Sequence, residues 1–184
     1  MTEITETKKK LPDAVDAFVL QWGNLGGQWG VNRSIGQIHA YLYLADGPRT
    51  AEDIARDLEM ARSNVSNSIK ELIAWNLIHR IPVRNDRREH FQAETDVWEI
   101  AARIAAGRKA REIDPALRTL RSCMEMADQD PEVSKVTRER LRNMTEFTAS
   151  VDRWYSQMVA MPKNKRDTLL KLGSKIASFL PKGR

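Results

Sequence analysis

The residues best suited to recognition chemistry lie between Arg62 and Lys70, where short hydrogen-bonding side chains are combined with cations. Apolar residues recur through this stretch at helical spacing, which predicts a helix over about 62–75 whose buried face is formed by Val65, Ile69 and Leu72. In the DNA major groove, which is about 12 Å wide, Asn pairs with adenine, Arg with guanine and Ser with either base. The opposite face therefore predicts base contacts from Arg62, Ser63, Asn64, Ser66 and Asn67, and a phosphate contact from Lys70.

A β-ribbon with a cationic tip is predicted directly after this helix. Residues 78–84 and 90–94 are two short runs of β-forming residues, and Asn85-Asp86 between them is a typical turn. Pro82 cannot donate a ladder hydrogen bond, so we expect the first run to be an edge strand. The potential of a narrow minor groove is negative and attracts arginine. The ribbon tip is therefore predicted to enter a minor groove through Arg84, Arg87 and Arg88.

The charge distribution favours the same two segments. From 60 to 88 the chain has six basic residues against two acidic ones, Glu71 and Asp86. The preceding segment, 52–59, has four acidic residues and one basic one, and the whole chain has a net charge of +5. A basic balance permits a nucleic-acid partner without establishing one. The polar helix face could instead contact water or another protein, so a winged-helix protein–protein interaction module that reads no DNA is the alternative.

Several elements must position these residues. Phe18 and Trp22 lie on a helix predicted to be capped by Asp13, and a second helix is predicted to begin around Ser34. Thr50 and the acidic residue three positions later have capping-box spacing, which predicts a short helix before a turn. The order of helix, helix, short helix, turn, helix and two-stranded ribbon is that of a winged helix-turn-helix. The predicted fold is mainly α with a small two-stranded β-wing.

The second half of the chain is predicted to be helical. Asp114 and Asp130 each precede a proline, which is typical of an N-cap followed by the first helical residue. Apolar residues at steps of three and four continue from 141 to 161, which predicts a seam packed against another helix. A last, basic helix is predicted over about 164–180. We therefore expect a flexible tail at 1–12, a DNA-binding domain at 13–95, and a helical dimerisation and candidate sensor region at 96–184.

Two stretches of the sequence resemble a known family. Residues 58–72 (LEMARSNVSNSIKEL), followed by 76–78 (NLI) and 86–88 (DRR), are similar to the recognition helix and wing of MarR-type regulators. Residues 32–43 (NRSIGQIHAYLY) more narrowly resemble the GbsR branch, repressors linked to choline and glycine betaine metabolism. The resemblance covers about 20–95. Two departures from the family pattern are Ala61, where Ser or Thr often caps the recognition helix, and Asn76, where many relatives have glycine.

The resemblance implies how such a protein would act. It implies a homodimer joined by its N- and C-terminal helices, with one recognition helix in each half of a pseudo-palindromic operator. It also implies that Arg87 or Arg88 enters the minor groove while Asp86 braces the wing, and that the outcome is more often repression than activation. Together with the apolar seam, this predicts dimer contacts from Phe18, Trp22, Met144, Phe147, Val151, Trp154 and Met158.

Aromatic residues raise the question of a small-molecule effector. Cation–π cages bind quaternary ammonium groups, and such a ligand would suit the GbsR resemblance. Core packing and dimer contacts are the alternative explanation for the same residues. The candidates for an effector site are Trp22, Trp29, Tyr41 and Trp98.

Other functional classes find no support in the residues. Cys123 is the one cysteine, so no intrachain disulfide can form, and it is more typical of a small buried hydrophobe than of a redox sensor. The three histidines lack the spacing of a metal site. Phosphate-loop and nucleophile-elbow motifs are absent as well. We therefore expect no metal, no cofactor and no enzymatic activity, and a cytoplasmic location without a membrane partner.

Overall fold

The computed structural model describes residues 11–28, 30–173 and 175, and it divides them into two compact units that meet within one helix, between Arg103 and Ile104. The first unit contains four helices and a small sheet. Its elements are α1 (Asp13–Gln28), α2 (Arg33–Leu44), β1 (Arg49–Thr50), α3 (Ala51–Asp57), α4 (Arg62–Ala74), β2 (Ile78–Ile81), β3 (His90–Ala93) and the start of α5 (Val97–Arg108).

The predicted fold class is confirmed, and the sheet has one more strand than the sequence indicated. Its order is β1-β3-β2, and both pairings are antiparallel. His90 at the start of β3 lies opposite Thr50 on one side and Ile81 on the other. Two residues are too few to show the alternation by which a strand is recognised in a sequence, so β1 could not be predicted.

The core of the first unit lies where α2, α3, α4 and the sheet meet. Ile38, Ile54 and Val65 are fully buried, and Leu72 and Ile78 nearly so. The predicted inner face of the recognition helix is thereby confirmed, because Val65, Ile69 and Leu72 are all buried. This burial fixes α4 to the body of the unit and leaves its other face exposed.

Helix α1 packs against α2 through two glycines. A Cβ atom on Gly36 would lie 3.0 Å from the Cα of Gly23 and 3.2 Å from the carbonyl oxygen of Trp22. Such distances to backbone atoms leave no room for a side chain. The glycines therefore allow the two helix backbones to approach each other closely.

Side chains cap two of the helices in this unit, α2 and α3. The capping box of α3 is confirmed, because Thr50 Oγ1 accepts from the amide of Asp53 and Asp53 Oδ2 accepts from the amide of Thr50, both at 3.1 Å. The helix predicted to begin around Ser34 begins at Arg33, within one residue of the prediction. Asn32 is the N-cap, and its Oδ1 accepts from the Ser34 amide at 2.9 Å. An Asn side chain is among the strongest N-caps, so it displaces the start towards the N-terminus.

The second unit is helical. Helix α5 continues through a π-helical segment (Lys109–Ile113) into α6 (Asp114–Gln129), which is followed by α7 (Lys135–Ala160) and α8 (Lys163–Leu172). Helix α6 packs against α7, and Arg138 of α7 donates to the carbonyl oxygen of Ala127 at 2.8 Å. The predicted last helix extended to about 180, and its part beyond 175 lies outside the described residues.

The predictions that Asp114 and Asp130 are N-caps in this unit were both wrong. Asp114 lies inside a continuous helix, where Lys109 Nζ contacts it at 2.6 Å. The wider π turn before Pro115 accommodates a residue that has no N–H to donate. Asp130 instead forms a turn by accepting from the amide of Glu132, and Ser134 caps α7 by accepting from the amide of Thr137.

Candidate nucleic-acid interface

Helix α4 presents a continuous polar strip to solvent. Ser63, Ser66, Asn67 and Lys70 are spaced by three, four and seven residues, so they lie on one face, and all four are exposed. Arg62 is exposed at the start of the same helix. Within the described residues, these five side chains make no hydrogen bond or ion pair, so each is available to an external partner.

Asn64 differs from the other predicted base-contacting residues. It is half-buried, and its Nδ2 donates to Ser34 Oγ at 2.8 Å. The bond joins the first turn of α4 to the first turn of α2. Thirty positions separate the two residues in sequence, and no local pattern could have indicated the contact. Asn64 therefore positions the strip in the free protein, while Asn67 does not take part in such a bond.

The N-terminus of α4 has no side-chain cap. Ala61 is the N-cap residue and supplies no hydrogen bond, and the first turn contains no acidic residue. The first backbone amides of a helix carry a partial positive charge when they remain unsatisfied. Together with the Arg62 guanidinium, they make this end of the strip attractive to an anion such as a phosphate.

The C-terminus of α4 is tied to the root of the ribbon. Asn76 has a φ of 56°, a left-handed conformation that Asn tolerates, and the amide of Leu77 donates to the carbonyl oxygen of Leu72 at 2.9 Å. Arg103 of α5 donates to the carbonyl oxygen of Asn76 and forms an ion pair with Glu94 at 3.0 Å. Sequence reasoning missed Arg103, because its partners are brought to it only by the fold.

The tip of the wing contains one arginine that is held by a partner, Arg88, and two that are not. Asp86 accepts from the amide of Arg88 and from its guanidinium, with a closest distance of 2.5 Å between Arg88 Nη2 and Asp86 Oδ2. These hydrogen bonds hold the pKa of the Asp86 carboxyl far below its usual range. Arg84 and Arg87 are exposed and have no hydrogen bond or ion pair within the described residues. Asp86, which the resemblance implies to brace the wing, is thus bonded to Arg88.

The ribbon has a further ion pair, between β2 and the residue that precedes β3. Arg80 Nε of β2 lies 2.7 Å from Glu89 Oε1, and both side chains are more than half exposed. An exposed pair of this kind contributes little to stability. Because the charges of Arg80 and Glu89 cancel, the net positive charge of the ribbon comes from its tip.

The aromatic effector candidates lie in different surroundings. Tyr41 is buried, and its hydroxyl donates to Asp57 Oδ2 at 2.6 Å. The pKa of Tyr41 is raised to about 12, chiefly by burial and next by this hydrogen bond. Trp22 stacks on Phe18 with ring centroids 5.6 Å apart, Trp98 is half-buried, and Trp29 lies outside the described residues. The side chain of Tyr41 is therefore already engaged in the core.

Two other kinds of site find no counterpart among the described residues. No group of three or more His, Cys, Asp or Glu side chains in that part of the chain is arranged to hold a metal ion. None of its helices combines the length and the hydropathy of a membrane span.

Comparisons with known proteins find similarity to a family model and to a bacterial repressor. Residues 29–89 match the model of the MarR family. The HTH-type transcriptional repressor GbsR of Bacillus subtilis is 25% identical over 85 residues, which are 46% of this chain and 47% of GbsR. The chain thus matches about half the length of that relative.

A solved structure of similar sequence shares the fold. A crystal structure described as a transcriptional regulator has a TM-score of 0.54 and 24% identity, with 80% of this chain and 96% of that chain covered. A complex of S. aureus MepR with DNA has a TM-score of 0.36 and 22% identity, with 75% and 92% covered. The residues that match the MarR family model, 29–89, contain the polar strip and most of the wing.

Proposed function

We propose that this protein is a transcriptional regulator, acting as a repressor, that binds a pseudo-palindromic operator as a homodimer. The observation that carries the proposal is the polar strip of α4, which is exposed and makes no hydrogen bond or ion pair within the described residues. On the opposite face of the helix, Val65, Ile69 and Leu72 are buried and fix it to the unit. A helix presented in this way can enter the major groove. The coarser inference, a DNA-binding regulator, is also supported by the match of residues 29–89 to the MarR family model.

Each part of the surface has a role in this proposal. Ser66 and Asn67 lie in the middle of the strip and contact base edges, together with Arg62, Ser63 and Asn64. Lys70 contacts a phosphate. In the wing, Arg84, Arg87 and Arg88 enter the adjacent minor groove, and Asp86 fixes the direction of Arg88.

The apolar face of α7 supports the homodimer. Met144, Phe147 and Trp154 are all more than half exposed, although they are large and apolar. Val151 and Met158 continue the same stripe and are half-buried. A contiguous apolar face on a folded domain usually marks an interface. We assign it, with Phe18 and Trp22 of α1, to a second copy of the chain, which would place two recognition helices about one DNA turn apart.

The repressor mode and its control rest on analogy. GbsR is named a transcriptional repressor, and we carry this mode over to the present chain. A small-molecule effector would relieve repression by changing the spacing of the two recognition helices, since both must dock at once. A quaternary amine is the first class to test, because Trp22, Trp29 and Trp98 are aromatic residues of the kind that bind such cations.

The alternative function is a protein–protein interaction module without DNA reading, and salt dependence separates the two. Genomic fragments retained by the purified protein would be sequenced, and the affinity for a retained duplex would be measured at increasing salt. For DNA binding we expect log K to fall linearly with log salt, with a slope of about 0.9 for each phosphate neutralised.

The control is Lys135→Ala, which removes an exposed cation at the start of α7, far along the chain from the strip, and should leave the slope unchanged. Failure to enrich any fragment, or an affinity indifferent to salt, would contradict the proposal and favour the interaction module. Repeating the selection with choline or glycine betaine present tests the effector separately, by loss of the retained fragments.

A further inference from the structure

One arginine lies where the recognition helix, the root of the wing and α5 meet, and it has no part in the DNA contacts assigned above. Arg103 of α5 donates through Nη1 to the carbonyl oxygen of Asn76, two residues after the end of α4. Its Nη2 lies 3.0 Å from Oε2 of Glu94, the residue that follows β3. A single side chain therefore joins three elements of the first unit.

The end of α4 that Arg103 contacts has no cation of its own. The last turn of α4 contains no basic residue, and the C-terminus of a helix carries a partial negative charge. A cation that donates to a carbonyl oxygen at this end satisfies a backbone acceptor and opposes that charge. Because Arg103 provides the cation from another helix, the contact also fixes the end of α4 to α5.

The two oxygens of the Glu94 carboxylate have different partners. Oε1 accepts from the amides of Thr95 and Asp96 at 2.9 and 3.0 Å, where the chain enters α5. Oε2 faces Arg103, and the amide of Glu94 donates to the carbonyl oxygen of Leu77 at 2.9 Å. Glu94 is thus fixed to the ribbon by its backbone and to α5 by its side chain, which makes it a well-ordered partner for the guanidinium.

The geometry of the bridge suits an arginine better than another cation. Two different nitrogens of the planar guanidinium serve the two partners, so the direction of one contact determines the direction of the other. The side chains of Arg103 and Glu94 are 26% and 21% exposed, so their charges are screened less than those of an exposed pair. A third contact, with Glu99 on the same helix, is longer at 3.8 Å and more exposed, and it is therefore the weakest of the three.

The recognition helix is consequently held at both ends. In its first turn Asn64 donates to Ser34 of α2, and just beyond its C-terminus Asn76 accepts from Arg103. The buried face of α4 decides which side of the helix meets solvent, whereas contacts at the two ends decide its tilt and its position along its axis. Base recognition depends on both, because a bidentate contact must be aligned with one base edge.

We propose that Arg103 is a positioning residue for DNA recognition, whose guanidinium fixes the C-terminal end of the recognition helix and the root of the wing to α5. The inference rests on the proposed DNA-binding function and deepens it. Helix α5 is also the element through which the chain passes from the first unit to the second. Arg103 therefore attaches the recognition helix to the helix that leads to the second unit.

Four variants separate the contacts. Arg103→Gln removes the guanidinium, and Arg103→Lys keeps the charge without the planar fork that bridges two partners. Glu94→Gln keeps one oxygen for the amides at the start of α5 and turns an NH2 group towards Arg103.

The matched control is Arg118→Gln. It removes an exposed cation of α6 that makes no hydrogen bond or ion pair within the described residues. Circular dichroism identifies any variant that fails to fold, and Arg103→Lys and Glu94→Gln carry the test if Arg103→Gln does.

The first measurement is made on the free protein and needs no DNA. Amide hydrogen exchange of Leu77 and Glu94, followed by NMR, reports how firmly the end of α4 and the root of the wing are held, since these amides donate to Leu72 and Leu77. Relative to the wild type and Arg118→Gln, we expect exchange to be about tenfold faster in Arg103→Gln and in Glu94→Gln.

The amide of Ile69, in the middle of α4, separates a local effect from a general one. Its exchange should be the same in all variants, because Arg103 acts on the end of the helix. Equal exchange of Leu77 in the wild type and in Arg103→Gln would overturn the proposal. An equal acceleration of Leu77 and Ile69 would also overturn it, because it would show a general loss of stability.

The second measurement uses a duplex chosen from the genomic fragments that the wild type retains and a scrambled duplex of the same composition. We expect Arg103→Gln to lose about tenfold in affinity for the retained duplex and little for the scrambled one, because Arg103 orients the polar strip without contacting DNA. For the same reason its salt slope should equal that of the wild type. Arg118→Gln should match the wild type on both duplexes.

The outcomes that would contradict the role of Arg103 are distinct from failure of DNA binding. A salt slope smaller by about 0.9 in Arg103→Gln would make Arg103 a phosphate contact instead. An unchanged affinity for the retained duplex would show that this attachment does not serve recognition. Absence of any retained fragment would refute DNA binding itself, and the exchange measurement would still decide whether Arg103 holds the recognition helix.

Discussion

At the scale of single residues, two adjacent arginines of the wing are in different states. Arg88 is bound by Asp86 through its amide and its guanidinium, whereas Arg87 has no partner within the described residues. An arginine that is already oriented loses less conformational entropy on binding than one that is free. The structure thus favours Arg88 as the directed contact and Arg87 as a flexible source of positive charge.

This difference leads to a prediction for the wing. The double variant with Arg87→Ala and Arg88→Ala should bind specific and non-specific duplexes more weakly and should have a flatter salt slope. The reason is that each substitution removes a cation that contacts a phosphate or the minor groove. Arg88→Ala alone should cost more affinity than Arg87→Ala alone. The measurement is fluorescence anisotropy over a salt series.

The control for the wing is Arg80→Ala, whose guanidinium is paired with Glu89 on the same ribbon. It should leave the slope nearly unchanged. A double variant with the salt slope of the wild type would show that the wing does not contact DNA.

The sequence indicated which residues of α4 are exposed, but it did not indicate which residues contact Asn64 and Arg103. Apolar spacing was sufficient to place Ser63, Ser66 and Asn67 on the exposed face of α4, because helix periodicity is a local property. The bond from Asn64 to Ser34 and the contacts of Arg103 depend on residues that are distant in sequence. Such partners are decided by tertiary packing, which a single sequence does not display.

At the scale of elements, the close crossing of α1 and α2 depends on glycine. Gly36→Ala should destabilise the first unit, because the new Cβ would meet backbone atoms of Trp22 and Gly23 that cannot move independently of α1. We expect a loss of about 1–3 kcal/mol in the free energy of unfolding, as for other overpacked sites. Urea denaturation measures this loss.

A second glycine of α1 provides the control for this crossing. Gly27 is helical, and a Cβ atom added to it would have no neighbouring atom within 4 Å, so Gly27→Ala should stabilise the helix by about 0.5–1 kcal/mol. Equal effects of the two substitutions would contradict the packing of α1 on α2.

The capping box of α3 gives a stability prediction that depends on pH. Burial alone would raise the pKa of Asp53, but hydrogen bonds from Thr50 and the charge of Arg56 outweigh it, so the pKa lies below its usual value. A carboxyl whose pKa is lowered by folding stabilises the protein above its unfolded-state pKa, and this contribution is lost as pH falls through the folded-state pKa.

Asp53→Asn should therefore lower the free energy of unfolding at neutral pH and have a smaller effect in acid, once the carboxyl of the wild type has taken up its proton. Asp46→Asn is the control, since Asp46 is exposed and makes no hydrogen bond within the described residues. A cost for Asp53→Asn that does not change with pH would show that the charge of the carboxylate is not what stabilises the cap.

Helix starts also show where sequence reasoning is strong and where it is weak. The capping box at Thr50 was predicted correctly, because all its contacts lie within four residues. Asp114 matched an N-cap pattern equally well, yet the helix continues through it by means of a π turn. A local pattern cannot show whether the preceding residues are already helical, and this is what decided the outcome.

At the scale of the whole molecule, the proposed homodimer depends on the apolar face of α7. Phe147→Glu would place a charge in the centre of this face, and we expect it to convert the dimer into monomers at micromolar concentration, because an unpaired buried charge is costly. Gln157→Glu adds the same charge to an exposed position of the same helix and should leave the dimer intact. Sedimentation equilibrium distinguishes these outcomes.

An unchanged mass of the Phe147→Glu variant would exclude this face from the interface. If the variant is monomeric, it should also lose most of its affinity for a palindromic duplex, because only one recognition helix would then dock at a time. Affinity for a single half-site should be affected much less.

The most direct test of the central claim is the specificity of Asn67→Ala. Its affinity would be measured for a duplex retained by the wild type and for a scrambled duplex of the same composition. Loss of a bidentate contact to a base should cost about 1–3 kcal/mol per site on the retained duplex and little on the scrambled one, so the ratio of the two affinities falls by about tenfold or more. A ratio equal to that of the wild type would show that the exposed strip of α4 does not read DNA.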